Sequence, residues 1–367
     1  MVIQGSTSAR QQAADLNTAD HAPTPPEMPA THTTVVDPTA SLERSLKTLN
    51  RHLERALNCS QDITRAAVRL STDGPEEMAL ANFVEQTHAK RIRSQMWTLQ
   101  LRQCCAVITH HIETAPLNGA QLRQLDNKQS EILDSLKQSL EQNAPPEIAE
   151  ALDAGINSSN DFFEKLLELI DLIKNGYLAG YEHIIKAYTD FFADFNAEIT
   201  AKMKDWVEGA NDGKDVELNV DELREALTTL LEKFTHPNSE SVLFPNPDSG
   251  GASKEDAEKW LKALGLPASC LKKNPPPGSG WCVVIDTSPL TTMLKGLEPY
   301  SGTVTWDTAK YNQWQTGFSA QEERIKNMLQ SLTQKYSNAN SYHDNFNKTL
   351  SSHLNQFADM LRAMLSF

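Results

Sequence analysis

A serine, two histidines and two cysteines are the residues of this sequence whose neighbours suggest chemistry. Asp248-Ser249-Gly250-Gly251 places a serine between an acid and two glycines, as a hydrolase nucleophile motif does. Such a serine requires a histidine base and an oxyanion hole. The motif lies in a proline- and glycine-rich loop of a chain dominated by helical patterns, with no histidine candidate nearby. The sequence therefore favours a plain loop over a hydrolase site.

Metal binding is the second chemistry that the residue types suggest. His110-His111 and Cys104-Cys105 are adjacent pairs, whose side chains point ~100° apart on a helix, whereas a helical metal pair needs a spacing of three or four. The five cysteines form no CxxC pair, so the sequence predicts reduced thiols rather than a zinc site or a disulfide framework. The calcium-loop and phosphate-loop patterns are also absent. We therefore expect no metal, no cofactor and no enzymatic reaction.

The charge of the chain limits its partners. A net charge of −14 argues against nucleic acid, because phosphate binding needs a concentrated face of lysine and arginine. Residues 41–110 nevertheless hold ten Lys/Arg against seven Asp/Glu. A basic N-terminal unit is therefore predicted to dock on an acidic remainder.

The spacing of apolar residues predicts helices on both sides of a central segment that has another composition. Residues 1–40 read as a disordered leader, and residues 41–143 as a helical hairpin or bundle that begins with a heptad seam from Leu42 to Leu70. Residues 208–306 are rich in glycine and proline and predict an inserted mixed α/β domain. It contains two similar strand-to-helix units, which start at Val216 and Val283.

Two long helices flank the inserted domain and are predicted to pair. Residues 147–207 and 307–367 are assigned to this central coiled coil, whose rods run from about 161 to 207 and from 318 to 366. Gly176 and Gly180 predict either a kink or a close helix approach in the first rod. The predicted seam residues are Phe163, Ile170, Tyr177, Ile184, Phe191, Ile325, Leu332, Ala339 and Phe346.

Several long motifs in the C-terminal half resemble a known family. They are KNGYLAGYEHIIKAYTDFFADF from Lys174, WLKALGLP from Trp260, GTVTWDTAKYNQWQTGFSAQEERIKN from Gly302 and LTQKYSNANS from Leu332. Together they resemble the IpaD/SipD/BipD family of type III secretion needle-tip proteins across residues 155–367. Over residues 1–150 only the layout is similar.

The resemblance implies a mainly α fold with an inserted α+β domain, a long central antiparallel coiled coil and an N-terminal helical hairpin. It also implies a secreted protein at the tip of the bacterial type III needle, exported through a signal in the leader without a cleaved Sec signal peptide. Such a protein caps the needle, controls secretion, senses bile salts and recruits hydrophobic translocators for host-cell invasion. Its implied partners are the needle subunit, the translocators and other copies in a pentamer, while the hairpin acts as a self-chaperone.

The same resemblance nominates residues for partner contact. Arg362 is the one basic residue after Lys348 in the final helix, where a cation also complements the helix dipole. Similar proteins use a basic residue at this place to contact the needle. Polar positions beside the seam are further candidates, namely Gln334, Lys335, Asn338 and Asn340.

A different interaction protein remains an alternative. A cytoplasmic helical chaperone or assembly protein of a secretion system also accounts for a helical bundle with paired rods. It predicts retention in the cell, whereas a tip protein is released or found at needle ends.

Overall fold

A computed structural model describes most of the chain after the leader. The described residues are 37–72, 77–143, 145, 162–247, 250–274 and 279–366. The predicted leader lies outside the described residues up to position 36, and so do Asp248 and Ser249. The fold below is that of the compact unit Asp37–Phe367.

Helix α1 (Pro38–Thr72) begins three residues before the predicted start at Ser41. The Asp37 carboxylate accepts a hydrogen bond from the Thr39 amide at 3.0 Å, and its carbonyl accepts from the Ser41 amide at 3.1 Å. An aspartate cap followed by proline is a strong helix start. The lack of large apolar side chains before Ser41 concealed this start in the sequence.

Helices α2 (Glu77–Thr114) and α3 (Gly119–Asn143) follow. α2 runs antiparallel to α1, since the Lys90 amine donates to the Ala56 carbonyl at 3.1 Å and the Cys59 thiol donates to the Gln86 carbonyl at 3.7 Å. We call α1 and α2 the hairpin. Its predicted heptad seam is buried along its whole length, from Leu42 to Leu70.

The first long rod consists of α-helical pieces joined by two π-helical segments. The pieces are α4 (Phe162–Asp171), a π segment (Leu172–Leu178), α5 (Ala179–Phe195), a second π segment (Asn196–Thr200) and α6 (Met203–Trp206). Gly176 lies in the first π segment. Gly180 gives room to Trp260, because a Cβ at Gly180 would lie 3.0 Å from that ring. The close approach is thus made by Trp260, which belongs to a helix of the inserted segment, Lys254–Leu264.

The segment between the rods contains two small antiparallel sheets. Its elements are β1 (Val207–Ala210), β2 (Asp215–Asn219), α7 (Val220–Lys233), β3 (Val242–Phe244), α8 (Lys254–Leu264), β4 (Leu271–Lys273), β5 (Trp281–Val284), α9 (Ser288–Leu297) and β6 (Thr303–Asp307). One sheet has the order β1-β2-β6 and the other β3-β5-β4. The two predicted strand-to-helix units belong to different sheets. In one sheet β2 leads into α7, and in the other β5 leads into α9.

The second rod is α10 (Thr308–Leu365), a single helix of 58 residues. It starts ten residues before the predicted position 318, because the Asp307 carboxylate caps it by accepting from the Lys310 amide at 2.8 Å. Gly317, expected just before the helix, lies inside it. No helix among the described residues has the length and hydrophobicity needed to cross a membrane.

The two rods pair antiparallel, as predicted. The ring centroids of Phe163 and Phe357 lie 6.1 Å apart, and those of Tyr177 and Tyr342 lie 5.9 Å apart, so positions ascend in one rod while they descend in the other. All nine predicted seam residues are buried. The predicted fold class is thereby confirmed, while the exact domain limits stay predictions.

Candidate functional site

Helix α10 presents two buried stripes of opposite character. One is apolar and contains the predicted seam positions from Ile325 to Phe346. The other is polar, and its members recur every three or four residues along one face of the helix. This polar stripe consists of Thr333, Ser337, Asn340, Asp344, Asn347 and Ser351, all of them buried.

The hairpin covers the polar stripe, with α1 antiparallel to α10. Asn50 and Asn355 exchange two side-chain amide hydrogen bonds of 3.2 Å. Farther along, the Ser60 hydroxyl lies 3.4 Å from the Asn340 side-chain oxygen. Beyond these, the side-chain amide of Gln330 donates to the Leu70 carbonyl at 3.2 Å. Polar contacts thus extend along α1 from Asn50 to Leu70.

A buried ion pair joins the hairpin to α10. The Lys90 side chain is 0 % exposed and that of Asp344 is 7 % exposed, and the amine donates to the carboxylate. Burial lowers the pKa of Lys90, although Asp344 opposes this. Burial also favours a higher pKa for Asp344, but His343, Lys90 and Ser60 more than offset this and hold it below its usual value. The charged form of each group is therefore stabilised by the other.

His343 lies beside this ion pair. Its ring is within 3.3 Å of the Asn347 amide nitrogen and 3.8 Å from the Asp344 carboxylate. Burial lowers the pKa of His343, and the charges of Lys90 and Lys174 act in the same direction. The imidazole is therefore neutral at pH 7.

Hydrogen bonding under the hairpin is incomplete. Several buried polar atoms of the polar stripe have no hydrogen-bond partner in the described part of the chain: Asn340 Nδ2, Asn347 Oδ1 and Ser351 Oγ. An unpaired buried polar atom costs ~1–3 kcal/mol. These unpaired atoms lower the stability of the interface between hairpin and α10.

The predicted partner residues occupy three different environments. Gln334 and Asn338 are exposed, and their side-chain amides are joined by a 3.0 Å hydrogen bond. Lys335 is half-buried. Asn340 is fully buried beside Ser60 of α1, and its role in partner contact stays a prediction. Arg362 lies about three turns beyond Ser351, at a distance from the other candidates, and pairs with Asp359 at 3.3 Å.

The polar stripe itself was missed in the sequence. Its signal was present, because polar residues follow the same three- and four-residue spacing as the apolar seam. Polar positions on a long helix normally face solvent. Only the position of the hairpin shows that this face is covered.

The histidine and cysteine pairs singled out for chemistry lie within the described residues, whereas Ser249 does not. The His110 and His111 rings lie 5.7 Å apart in a tilted arrangement. All five cysteines are buried and free. Among the described residues no cluster of histidine, cysteine, aspartate and glutamate has the geometry to hold a metal ion.

Comparison with known proteins assigns this architecture to a family. Residues 109–365 match the family model for type III secretion systems tip complex components. The chain belongs to this family. Its members are structural components of an assembly and not enzymes, so membership excludes the Ser249 hydrolase alternative.

Individual relatives of this tip complex component are similar over different lengths. The cell invasion protein SipD of Salmonella typhi is 41% identical over 57% of this chain, and the match spans 62% of that protein. Invasin IpaD of Shigella flexneri is 32% identical over 89% of this chain and 99% of its own length. A crystal structure of a pathogenicity island 1 effector protein from Chromobacterium violaceum matches with a TM-score of 0.63 and 29% identity, over 88% of this chain and 99% of that one.

Proposed function

We propose that the chain caps the needle of a type III secretion system and that the hairpin occupies the needle-binding face of α10 until assembly. The observation that carries this proposal is the buried polar stripe, whose incomplete hydrogen bonding makes the hairpin removable while the apolar seam keeps the rods together. The family membership supports the tip role. The names of the relatives, an invasin and a cell invasion protein, support a role in host-cell invasion.

The docked hairpin and the open coil form a two-state element. A partner that binds the open state shifts the population in proportion to its preference for that state. Asn340 and Asp344 become accessible only after the hairpin leaves, whereas Gln334, Lys335 and Asn338 offer a first contact on the neighbouring face. Arg362 provides a cation for the needle near the far end of α10.

The remaining functions follow from the resemblance. The chain is exported by the type III apparatus through a signal in residues 1–40 and acts at the bacterial surface. There it self-associates as a pentamer, holds back secretion, responds to bile salts and recruits the hydrophobic translocators.

Needle labelling tests the capping role. A strain that lacks the chain is complemented with an epitope-tagged copy, secretion is induced, and needle ends are examined by immunogold electron microscopy. Label at needle ends and tagged protein in the medium are expected. Tagged protein that stays in the cytoplasm, with bare needle ends, would instead support the chaperone alternative.

Removal of residues 41–143 tests the role of the hairpin. The purified variant is expected to form larger assemblies than the full chain in sedimentation velocity experiments, because the polar stripe and its surroundings are then free. Unchanged self-association of a variant that retains its helical circular dichroism would refute the self-chaperone role.

A further inference from the structure

A buried histidine lies where α10 meets both the hairpin and the first rod. His343 of α10 is 1 % exposed. It is close enough to Lys90 of α2 and to Lys174 of the first rod for both charges to lower its pKa. Lys174 belongs to the π segment Leu172–Leu178, and π-helical turns are frequent at functional sites. The proposed function assigns no role to this histidine.

The charges around His343 are mostly positive, and the nearby carboxylates are already paired. The Asp344 carboxylate lies 3.8 Å from the ring, but it also accepts from the Lys90 amine. Lys174 pairs with Asp171 at 3.4 Å. The same Asp171 carboxylate also pairs with a second cation, an arginine of α2. A third positive charge at the histidine would therefore share carboxylates that existing cations occupy.

The neighbours of Lys90 extend this cluster to the other side of the hairpin interface. The Cys59 thiol of α1 and the Lys348 amine of α10 are both close enough to influence the pKa of Lys90. Lys348 acts in the same direction as burial and lowers the pKa of Lys90. The cluster around His343 and Lys90 thus gains a further cation from α10 and no further carboxylate.

Hydrogen bonding at His343 suits a neutral ring. The Asn347 amide nitrogen lies 3.3 Å from both ring nitrogens. A neutral imidazole keeps one lone pair that accepts from such a donor, whereas a protonated ring has two N–H groups and no lone pair. Protonation would remove this hydrogen bond and leave a cation out of contact with water. A buried charge without its own partner strongly destabilises the arrangement that encloses it.

We infer that protonation of His343 releases the hairpin from α10, so that an acidic surrounding favours the open coil. The inference rests on the proposed two-state element and names a signal that shifts it. When the hairpin leaves, Lys90 moves away with α2 and water reaches the imidazole. The open state therefore binds a proton more readily than the docked state, and a ligand shifts the population toward the state that binds it better.

The sign and the size of the effect follow from proton linkage. Burial, together with Lys90 and Lys174, holds the pKa of His343 below the ordinary value of about 6.5 in the docked state. The docking stability that the neutral ring provides is complete above that pH and is lost as the pH falls. At pH 5.0 an accessible histidine is ~30-fold more often protonated than neutral, which sets the upper limit of the change. Asp344 contributes little at this pH, because the ordinary aspartate pKa is about 3.9 and docking lowers it.

Other ionisable groups of the hairpin also respond to acid. Burial lowers the pKa of His52 and of His111, so their protonation acts in the same direction as that of His343. Burial raises the pKa of Glu182, which pairs with Arg91 of α2 at 3.3 Å, so its protonation opposes release. A variant at position 343 isolates the histidine, because these groups act equally in wild type and variant.

Hydrogen-exchange mass spectrometry of the full chain at pH 7.0 and pH 5.0 tests the inference. Exchange rates are divided by the intrinsic rate at each pH, so that only protection is compared. His343→Gln removes the ionisable group and keeps a neutral hydrogen-bonding side chain. On acidification, protection of α1 and α2 is expected to fall about tenfold more in wild type than in His343→Gln, within the ~30-fold limit. Helices α4 and α5 should keep their protection in both proteins.

Two further variants separate the switch from general effects of acid. Lys174→Met removes one of the cations that disfavour protonation and lies outside the hairpin, so it should reduce the acid response of α1 and α2 at least about twofold. His110→Gln is the matched control, because this histidine is exposed on α2 and is not part of the cluster. It should respond to acid as wild type does.

The outcomes separate this inference from needle capping. The inference is overturned if the acid response of His343→Gln lies within twofold of wild type, or if acid removes protection from α1, α2, α4 and α5 together. If His343→Gln lacks the helical circular dichroism of wild type at pH 7.0, an unchanged acid response of Lys174→Met overturns it instead. Labelled needle ends without acid release refute the acid switch alone. Acid release with bare needle ends supports the switch and refutes the capping role alone.

Discussion

Replacement of Lys90 by methionine probes the ion pair that joins the hairpin to α10. Methionine keeps most of the length and apolar volume of the lysine side chain but removes its charge. The Asp344 carboxylate, 7 % exposed, then loses its cation while the hairpin still excludes water from it. Since Lys90 belongs to α2 and Asp344 to α10, the cost falls on docking of the hairpin rather than on pairing of the rods.

The magnitude follows from the burial of both partners. Breaking a buried ion pair on one side costs ~3–5 kcal/mol, and each 1.4 kcal/mol is a factor of ten in an equilibrium. The population with an undocked hairpin should therefore rise by about 10² to 10³-fold. Adding Asp344→Asn to Lys90→Met should recover much of this loss, because the unpaired charge is then gone.

Hydrogen-exchange mass spectrometry measures the docking equilibrium directly. Amides of α1 and α2 should exchange faster in Lys90→Met by that factor, while α4 and α5 keep their protection. Lys186→Met is the matched control, because its pair with Asp190 is exposed and should be worth less than about 1 kcal/mol. Exchange of α1 within twofold of wild type in Lys90→Met would refute the reasoning.

Three further substitutions test local features by chemical denaturation. Gly180→Ala should destabilise the chain by ~1 kcal/mol, because its Cβ would lie 3.0 Å from Trp260, whereas Gly176→Ala, with a nearest contact of 3.7 Å, should not. Equal midpoints for the two variants would contradict this. Asp307→Ala should lower the free energy of unfolding by about 1 kcal/mol, because α10 loses its N-terminal cap. An unchanged denaturation midpoint would show that this cap does not stabilise the chain. Burial keeps the pKa of His343 below the ordinary histidine value of about 6.5, so the stability that the neutral imidazole contributes is complete above that pH and is lost as the pH falls. The denaturation midpoint of wild type should therefore fall more steeply below pH 6.5 than that of His343→Asn, and parallel profiles would count against this role.

Sequence patterns predicted the large helical elements well because each depends on many residues. The heptads from Leu42 to Leu70 and from Ile325 to Phe346 repeat over several turns, so single exceptions do not hide them. The pairing of the rods followed from the same repetition. Helix starts were less accurate, since α1 and α10 begin at short capping signals, Asp37-Pro38 and Asp307, outside the apolar pattern.

The sequence patterns do not predict the shortest strands or the burial of the polar stripe. Strands such as Val242–Phe244 and Leu271–Lys273 have three residues, too few for a period of two to stand out. The pairing of Lys90 with Asp344 joins positions 254 residues apart and depends on how the hairpin lies on α10. Asn340 was assigned to a partner for the same reason, because its heptad position gives no information about which helix covers it.

A reversible disulfide between the hairpin and α10 tests most directly whether the hairpin must leave α10 before the needle is capped. Asn50 and Asn355 face each other across α1 and α10, so the Asn50→Cys, Asn355→Cys pair should form a disulfide that holds the hairpin docked. Purified double variant is added to needles from a strain that lacks the chain, in oxidised and reduced form, and needle ends are counted after immunogold labelling. The account predicts labelled ends only for the reduced form. Equal labelling by the oxidised, fully cross-linked form would contradict the claim that the hairpin must leave α10 before the needle is capped.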